Sequence, residues 1–132
     1  TEAQSAIIYN NMAWALLQTD KPDKKTVIKA AERAYQLMPA SADILDTYAE
    51  ALIRFGQYGQ CIKILEDSKI TQKEPKLIYQ LGTAYEKKND LNKAVRHFIS
   101  ARAMMDSANG SIQMDISKAE LERHIERILD KE

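Results

Sequence analysis

Residues Pro75–Ala101 read PKLIYQLGTAYEKKNDLNKAVRHFISA, and this stretch decides the fold. In its first half, apolar or small residues recur at i, i+3, i+4 and i+7, as on one helical face: Ile78, Leu81, Gly82 and Tyr85. In its second half, an aromatic stands between two small residues: Ala94, Phe98 and Ala101. Between them Asn89 suits the left-handed conformation that ends a helix. The pattern predicts a helical hairpin, which needs neighbours to bury both stripes.

Two further copies of this hairpin precede it. Small residues recur at equivalent positions of the three first helices: Ala13, Ala49 and Gly82. The matching positions of the second helices are Val27, Cys61 and Ala94. The distance in sequence between these two positions is the same in the last two copies, and it is slightly longer in the first copy. Gly56 marks the turn of the middle copy. Three copies of one hairpin predict a helical repeat protein.

Length and composition agree with one domain of helical repeats. The chain has 132 residues, with 19 basic and 19 acidic residues and a formal net charge of zero, so no basic surplus points to nucleic acid. No apolar run approaches the roughly 20 residues of a membrane span. The single Cys61 excludes an internal disulfide. The chain begins at Thr1 without Met, and we expect it to be the C-terminal part of a longer repeat protein.

The helix boundaries follow from caps and turn residues. We expect residues 1–4 to be frayed and Asp106–Ser111 to break the chain. Ser41 is a predicted N-cap, Pro75 suits a first turn, and Ser117 with Glu120 resembles a capping box. The predicted helices cover Ser5–Thr19, Asp23–Met38, 42–55, 58–69, a third hairpin from Pro75 to near Met105, and 115–130. The last helix has an apolar stripe, predicted to close the open end of the stack: Leu121, Ile125, Ile128 and Leu129.

The spacing Leu81-Gly82-x-x-Tyr85 followed by Ala94, Phe98 and Ala101 closely resembles the tetratricopeptide repeat, a helix–turn–helix of about 34 residues. The resemblance implies an all-α, right-handed superhelical stack of three antiparallel hairpins with a C-terminal capping helix, seven helices in all. It implies one domain over 1–132, with repeats at about 6–41, 42–74 and 75–108. The phrase Asn10–Trp14 also resembles repeat proteins of bacterial exported type, which leaves the compartment open between cytoplasm and export.

The resemblance further implies protein binding without catalysis or cofactor. In this family the first helices line a concave groove that holds a peptide or a partner helix. Beside the core stripe, each first helix carries a second stripe, and these are the candidate groove residues: Asn10, Trp14, Leu17, Asp43, Asp46, Glu50, Ile53, Lys76, Tyr79 and Thr83. Because the centre is acidic, we expect a basic or mixed-charge partner segment.

Several of these residues have a second interpretation. Trp14 either contacts a ligand or packs against a preceding repeat, and Tyr79 either faces the groove or packs between hairpins. The carboxylates at Asp43, Asp46 and Glu50 either bind a ligand or form a solvated face. The alternative function is a structural end piece or a scaffold that self-associates through Ile7, Trp14 and Leu17.

Catalytic and metal chemistry have little support in the sequence. Cys61 occupies the small-residue position of its helix, where we expect a buried spacer. His97 is predicted on the convex side. His124, among Arg123, Glu126 and Arg127, is predicted on the wet face of the last helix. Two histidines so far apart in the chain, without a cysteine cluster, do not make a metal site.

Overall fold

A computed structural model describes residues 1–107 and 117–130 of the chain. This part contains seven α-helices, one short 3₁₀ turn at Thr71–Lys73 and no strand. The helices are α1 (Glu2–Leu17), α2 (Lys24–Leu37), α3 (Ala42–Arg54), α4 (Tyr58–Asp67), α5 (Pro75–Lys87), α6 (Leu91–Ser107) and α7 (Lys118–Asp130). The predicted all-α fold of seven helices is confirmed.

The helices pack in chain order as a stack. Each of α1, α3 and α5 contacts the helix that follows it, and each pair contacts the next through α2 against α3 and α4 against α5. The first helices also touch one another, α1 against α3 and α3 against α5, while α7 packs on α6. The first helices therefore form one layer, and a continuous core extends from α1 to α7 between this layer and the helices that pack on it.

Most helix ends lie close to the predicted ones, because the capping residues act as expected. Ser41 Oγ accepts from the Ile44 amide at 3.3 Å, and Pro75 opens α5. Gly56 and Asn89 take positive φ values of 76° and 66°. After α3 and α5 the chain makes the paired 6→1 and 5→2 hydrogen bonds of a Schellman motif, including Gln57 N–H to the Leu52 carbonyl at 2.7 Å.

The first helix begins earlier than predicted. Residues 1–4 are not frayed, because Thr1 and Gln4 form a capping box. The Gln4 amide donates to Thr1 Oγ1 at 3.2 Å, and the Thr1 amino group donates to Gln4 Oε1 at 3.0 Å. The helix then ends at Leu17 rather than Thr19, where the Thr19 hydroxyl donates to the Leu16 carbonyl at 2.7 Å.

The predicted break after the third hairpin is partly wrong. Asp106 and Ser107 belong to α6, and the rest of that segment, 108–111, lies outside the described residues. The last helix starts at Lys118 rather than 115, with Ser117 Oγ accepting from the Glu120 amide at 3.2 Å. Lys118 Nζ pairs with Asp106 Oδ1 at 2.7 Å, which ties the start of α7 to α6.

The small residues of each hairpin are buried where two helices meet. Ala13, Ala49 and Gly82 are all buried. A Cβ at Gly82 would stand 2.8 Å from Phe98 Cε1, so the aromatic ring occupies the space that glycine leaves. Cys61 is fully buried with its Sγ 3.9 Å from the Ala49 carbonyl oxygen, and burial raises its thiol pKa to about 12. It is the predicted packing residue.

Leu129, predicted in the apolar stripe of the last helix, lies outside the core and is 51% exposed. In α7 the core side is formed by Leu121, Ile125 and Ile128, all buried. Leu129 follows Ile128 by one position, which turns its side chain by about 100° around the helix and away from α6.

Gly82→Ala tests the close approach of α5 to α6. Overpacking against Phe98 should cost about 1–3 kcal/mol, more than the gain of about 1 kcal/mol in helix propensity. Urea unfolding followed by circular dichroism measures the change. The matched control is Gly59→Ala, where the new methyl would meet only Lys88 Nζ, at 3.7 Å, and should not destabilise. A higher unfolding midpoint for Gly82→Ala would show that Phe98 moves aside at little cost.

Ile128→Ala and Leu129→Ala test how α7 closes the stack. Removing the buried Ile128 side chain should lower the free energy of unfolding by about 2–5 kcal/mol, whereas the exposed Leu129 should change it by less than about 0.5 kcal/mol. Both variants replace an aliphatic residue of the same helix by alanine, so the change in helix propensity is similar in the two. Equal losses in both would contradict the observed orientation of α7.

Candidate partner-binding surface

The second stripes of α1, α3 and α5 lie on the layer of first helices, and we call them the first-helix surface. Side chains at matching positions of neighbouring repeats come together there because α1 contacts α3 and α3 contacts α5. The surface comprises Asn10, Trp14 and Leu17 on α1, Asp43, Asp46, Glu50 and Ile53 on α3, and Lys76, Tyr79 and Thr83 on α5.

A polar network joins α3 to α5 at the centre of this surface. Gln80 Nε2 lies 2.7 Å from Asp46 Oδ1, 3.2 Å from the Asp46 carbonyl oxygen and 2.8 Å from Glu50 Oε1. Lys76 Nζ stands 3.9 Å from Asp46 Oδ1 and 3.7 Å from Glu50 Oε1. Two of the three predicted carboxylates are therefore held by residues of the next repeat. Asp43, one turn earlier, is exposed.

Gln80 was not among the predicted site residues, yet it organises the network. Its side chain is fully buried, and its Oε1 is buried without a hydrogen-bond partner. The available signal was its separation from Asp46 along the chain, which equals the length of one repeat. Composition gave no sign of it, because an isolated glutamine in a helix usually faces solvent.

The α1 end of the surface is apolar and partly open. Trp14 is 57% exposed and Ile7 is 52% exposed. Leu17 is buried in the core and adds little to the open surface. Asn10 is half-buried, and its Oδ1 is buried without a hydrogen-bond partner. The exposed α1 side chains offer an aromatic and an aliphatic contact beside the acidic centre.

The α5 end is built around the half-buried ring of Tyr79. The ring centroid lies 5.5 Å from that of Phe98 and 6.0 Å from that of His124. Thr83 donates its hydroxyl hydrogen to the Tyr79 carbonyl at 3.0 Å. Tyr79 thus packs against both its own hairpin and the last helix while part of it stays accessible. Ile53 is likewise half-buried and packs on the core.

His124 was predicted on the solvent-facing side of α7, and this prediction is wrong. Its ring contacts Phe98 at a centroid distance of 5.6 Å, and its side chain is only 29% exposed. Arg127 Nη2 donates to His124 Nδ1 at 2.9 Å and pairs with Glu86, whose carboxylate is 13% exposed. The charged neighbours suggested solvent, but an imidazole also packs well on aromatic rings. His124 and Arg127 anchor α7 to α5.

His97 is half-buried as well. Its ring stacks on Tyr85 at a centroid distance of 5.5 Å and an interplanar angle of 10°. Tyr85 in turn donates its hydroxyl hydrogen to Glu66, and Lys93 Nζ lies 5.3 Å from the Tyr85 ring centroid. These contacts tie α6 and α5 to α4.

The described residues hold no group of three or more His, Cys, Asp or Glu side chains placed to bind a metal ion. Over the same ranges, none of the helices combines the length and hydropathy needed to traverse a bilayer.

The stacked helical hairpins and their small-residue contacts define a tetratricopeptide-type repeat protein. The sequence model of the family described as anaphase-promoting complex, cyclosome, subunit 3 matches residues 20–101, from the turn before α2 into α6. The chain belongs to this family, which is of the tetratricopeptide-repeat type, and the resemblance seen in the sequence is confirmed. No curated protein matches the chain. Repeats of this type are protein–protein interaction modules and are generally non-catalytic.

Because the pKa values of both histidines are lowered in the folded chain, we expect the free energy of unfolding to depend on pH. Burial, and then the Arg127 guanidinium, lower the pKa of His124 below its ordinary value of 6.5, and burial also lowers the pKa of His97. As the pH falls through 6.5, the unfolded chain takes up protons that the folded chain does not, so the free energy of unfolding should fall. Stability should be fully present above pH 6.5 and decline towards the lowered pKa values.

The variant His124→Gln measures how much His124 contributes to the pH dependence of the free energy of unfolding. Between about pH 7.5 and 5.5, where carboxylates contribute little, the variant should lose less stability than the wild type in urea titrations. The double variant His97→Gln/His124→Gln should lose the least, since the chain has only two histidines. A pH slope of His124→Gln equal to that of the wild type would mean that protonation of this ring is not coupled to folding.

Proposed function

We propose that this protein is a non-catalytic interaction module that holds a peptide or helix of a partner protein in a groove formed by the first-helix surface. The proposal takes residues 1–132 as one repeat domain that needs no cofactor and binds no nucleic acid. One observation carries it. Asp46, Glu50, Lys76 and Gln80 are fixed in one network across α3 and α5, with exposed Trp14 on one side and the accessible part of Tyr79 on the other.

A fixed network favours binding because its side chains are already ordered before a partner arrives. Rigid sites lose less conformational entropy on association than mobile ones. Lys76 offsets part of the charge of Asp46 and Glu50, and the exposed Asp43 adds another carboxylate, so the centre keeps a net negative charge. A basic or mixed-charge segment would be attracted to it.

Apolar contacts beside the charges would supply most of the affinity. Trp14 offers an exposed indole, and aromatic residues dominate binding energies at protein interfaces. Tyr79 and Ile53 are half-buried and preordered by the core. We infer a partner segment with one aromatic or aliphatic anchor near a basic residue. The family description, a subunit of a complex, supports a role through protein contacts.

The second candidate function is a structural end piece or self-association scaffold. It is supported by the exposure of Ile7 and Trp14 on α1, whereas the buried Leu17 would not take part. The mass in solution separates the two functions. A monomer at high concentration favours the partner-binding module. A dimer that Trp14→Ala dissociates favours the scaffold.

The triple variant Asp43→Asn/Asp46→Asn/Glu50→Gln tests the groove. It removes three charges but keeps the side-chain oxygen atoms that accept hydrogen bonds from Gln80, so the network should stay intact. The probe is a phage-displayed library of short random peptides, selected on the wild type. We expect enriched peptides with a basic residue near an aromatic or aliphatic one, and binding to the triple variant weakened by about tenfold, chiefly through a slower on-rate. The loss should shrink as salt rises.

The matched control removes the same charge from exposed sites elsewhere: Asp20→Asn/Asp67→Asn/Glu126→Gln. It should bind the selected peptides like the wild type. If control and triple variant lose affinity equally, only the net charge matters. If the triple variant binds as well as the wild type at low salt, Asp43, Asp46 and Glu50 form a solvated face and the structural end piece becomes the better proposal.

A further inference from the structure

Helix α1 exposes apolar side chains on a second side, away from the first-helix surface. Its sixteen residues include a single charged one, Glu2. Ile8 is 65% exposed and Met12 is 41% exposed, and their i, i+4 spacing places them on one face. Helices that are apolar around their circumference are normally covered. The described chain does not cover this face.

A groove runs between this face and α2, and we call it the α1/α2 groove. It encloses about 420 Å³ and is lined by Tyr9, Met12, Lys25, Thr26, Lys29, Ala30 and Arg33. The apolar part of this lining, which we call its floor, comprises Tyr9, Met12 and Ala30. Ile8, one turn before Met12, extends the apolar strip along α1.

One wall of the groove is basic. Lys25, Lys29 and Arg33 follow one another at i, i+4 and i+8, so they form a single row along about 12 Å of α2. All three are exposed, and across residues 1–107 and 117–130 no ion pair joins any of them to a carboxylate. The other wall, α1, is uncharged beyond Glu2.

The one-sided charge indicates what fits the groove. An amphipathic helix would lay its apolar stripe on the floor, and acidic residues along one flank, at i and i+4, would face the basic row. A second copy of the chain is a poorer fit. Pairing α1 with its counterpart would bring one carboxylate, Glu2, against three basic side chains and leave the row unmatched.

We propose that the α1/α2 groove is a second interaction site, which binds an amphipathic helix of a partner protein carrying Asp or Glu along one flank of its apolar stripe. The site does not depend on the first-helix surface. It faces a different side of α1, and its charge has the opposite sign to the acidic centre there. The two surfaces would therefore select different segments.

The probe is a fluorescein-labelled peptide held helical by a side-chain bridge, with Leu at i, i+4 and i+7 and a row of Glu on one flank. A second peptide carries Lys in place of each Glu. In fluorescence anisotropy at low salt, the Glu peptide should bind the wild type and the Lys peptide should not. The variant Lys25→Glu/Lys29→Glu/Arg33→Glu should weaken the Glu peptide by about tenfold or more and should bind the Lys peptide instead.

Two control variants localise the effect. Lys63→Glu/Lys69→Glu/Lys73→Glu makes the same charge change on other exposed residues and should bind the Glu peptide like the wild type. The first-helix variant Asp43→Asn/Asp46→Asn/Glu50→Gln should also bind it like the wild type, which separates this site from the proposed groove. On adding the Glu peptide, the backbone amide signals of Thr26 and Ala30 should shift in NMR spectra.

Three results would overturn the proposal. One is failure of the Glu peptide to bind, and another is an equal loss in the two charge-reversal variants. The third is a dimer in analytical ultracentrifugation that Met12→Asp dissociates, because a second copy would then occupy the groove.

Discussion

The close approach of paired helices at small residues is the constraint on which the rest of this structure depends. At Gly82 the helices stand so near that a methyl group would overlap Phe98. That proximity lets the Phe98 ring fill the hairpin and contact both Tyr79 and His124. Without this close approach the three rings would not come into contact, and the α5 end of the first-helix surface and the packing of α7 would both change.

The same packing turns a repeated sequence into a continuous surface. Stacked hairpins bring each first helix against the next, so side chains about one repeat apart become neighbours. Gln80 reaches Asp46 and Glu50 across such a gap, and Lys76 does the same. The carboxylates are thereby ordered and partly neutralised. A surface that looked like a plain acidic patch becomes a network with a defined shape and a smaller negative charge.

Charge is distributed unevenly over the protein, which its net value of zero hides. The acidic centre lies on α3, and the basic row of Lys25, Lys29 and Arg33 lies on α2, beside the apolar side of α1. Because the two proposed surfaces have opposite charge, they would select two different partner segments. Helix α1 contributes exposed apolar side chains to both, since Trp14 belongs to the first-helix surface and Met12 lines the α1/α2 groove.

The sequence by itself determined the helices, their pairing pattern and the family, because periodicity, capping residues and repeated spacing are local properties. It placed Cys61, Ser41 and Gly56 correctly for that reason. Only the tertiary structure decided the position of His124, the role of Gln80, and the burial of Leu17. Each depends on which neighbour stands opposite a helix face, and that is set by the angle and depth of packing between repeats rather than by the pattern along one helix.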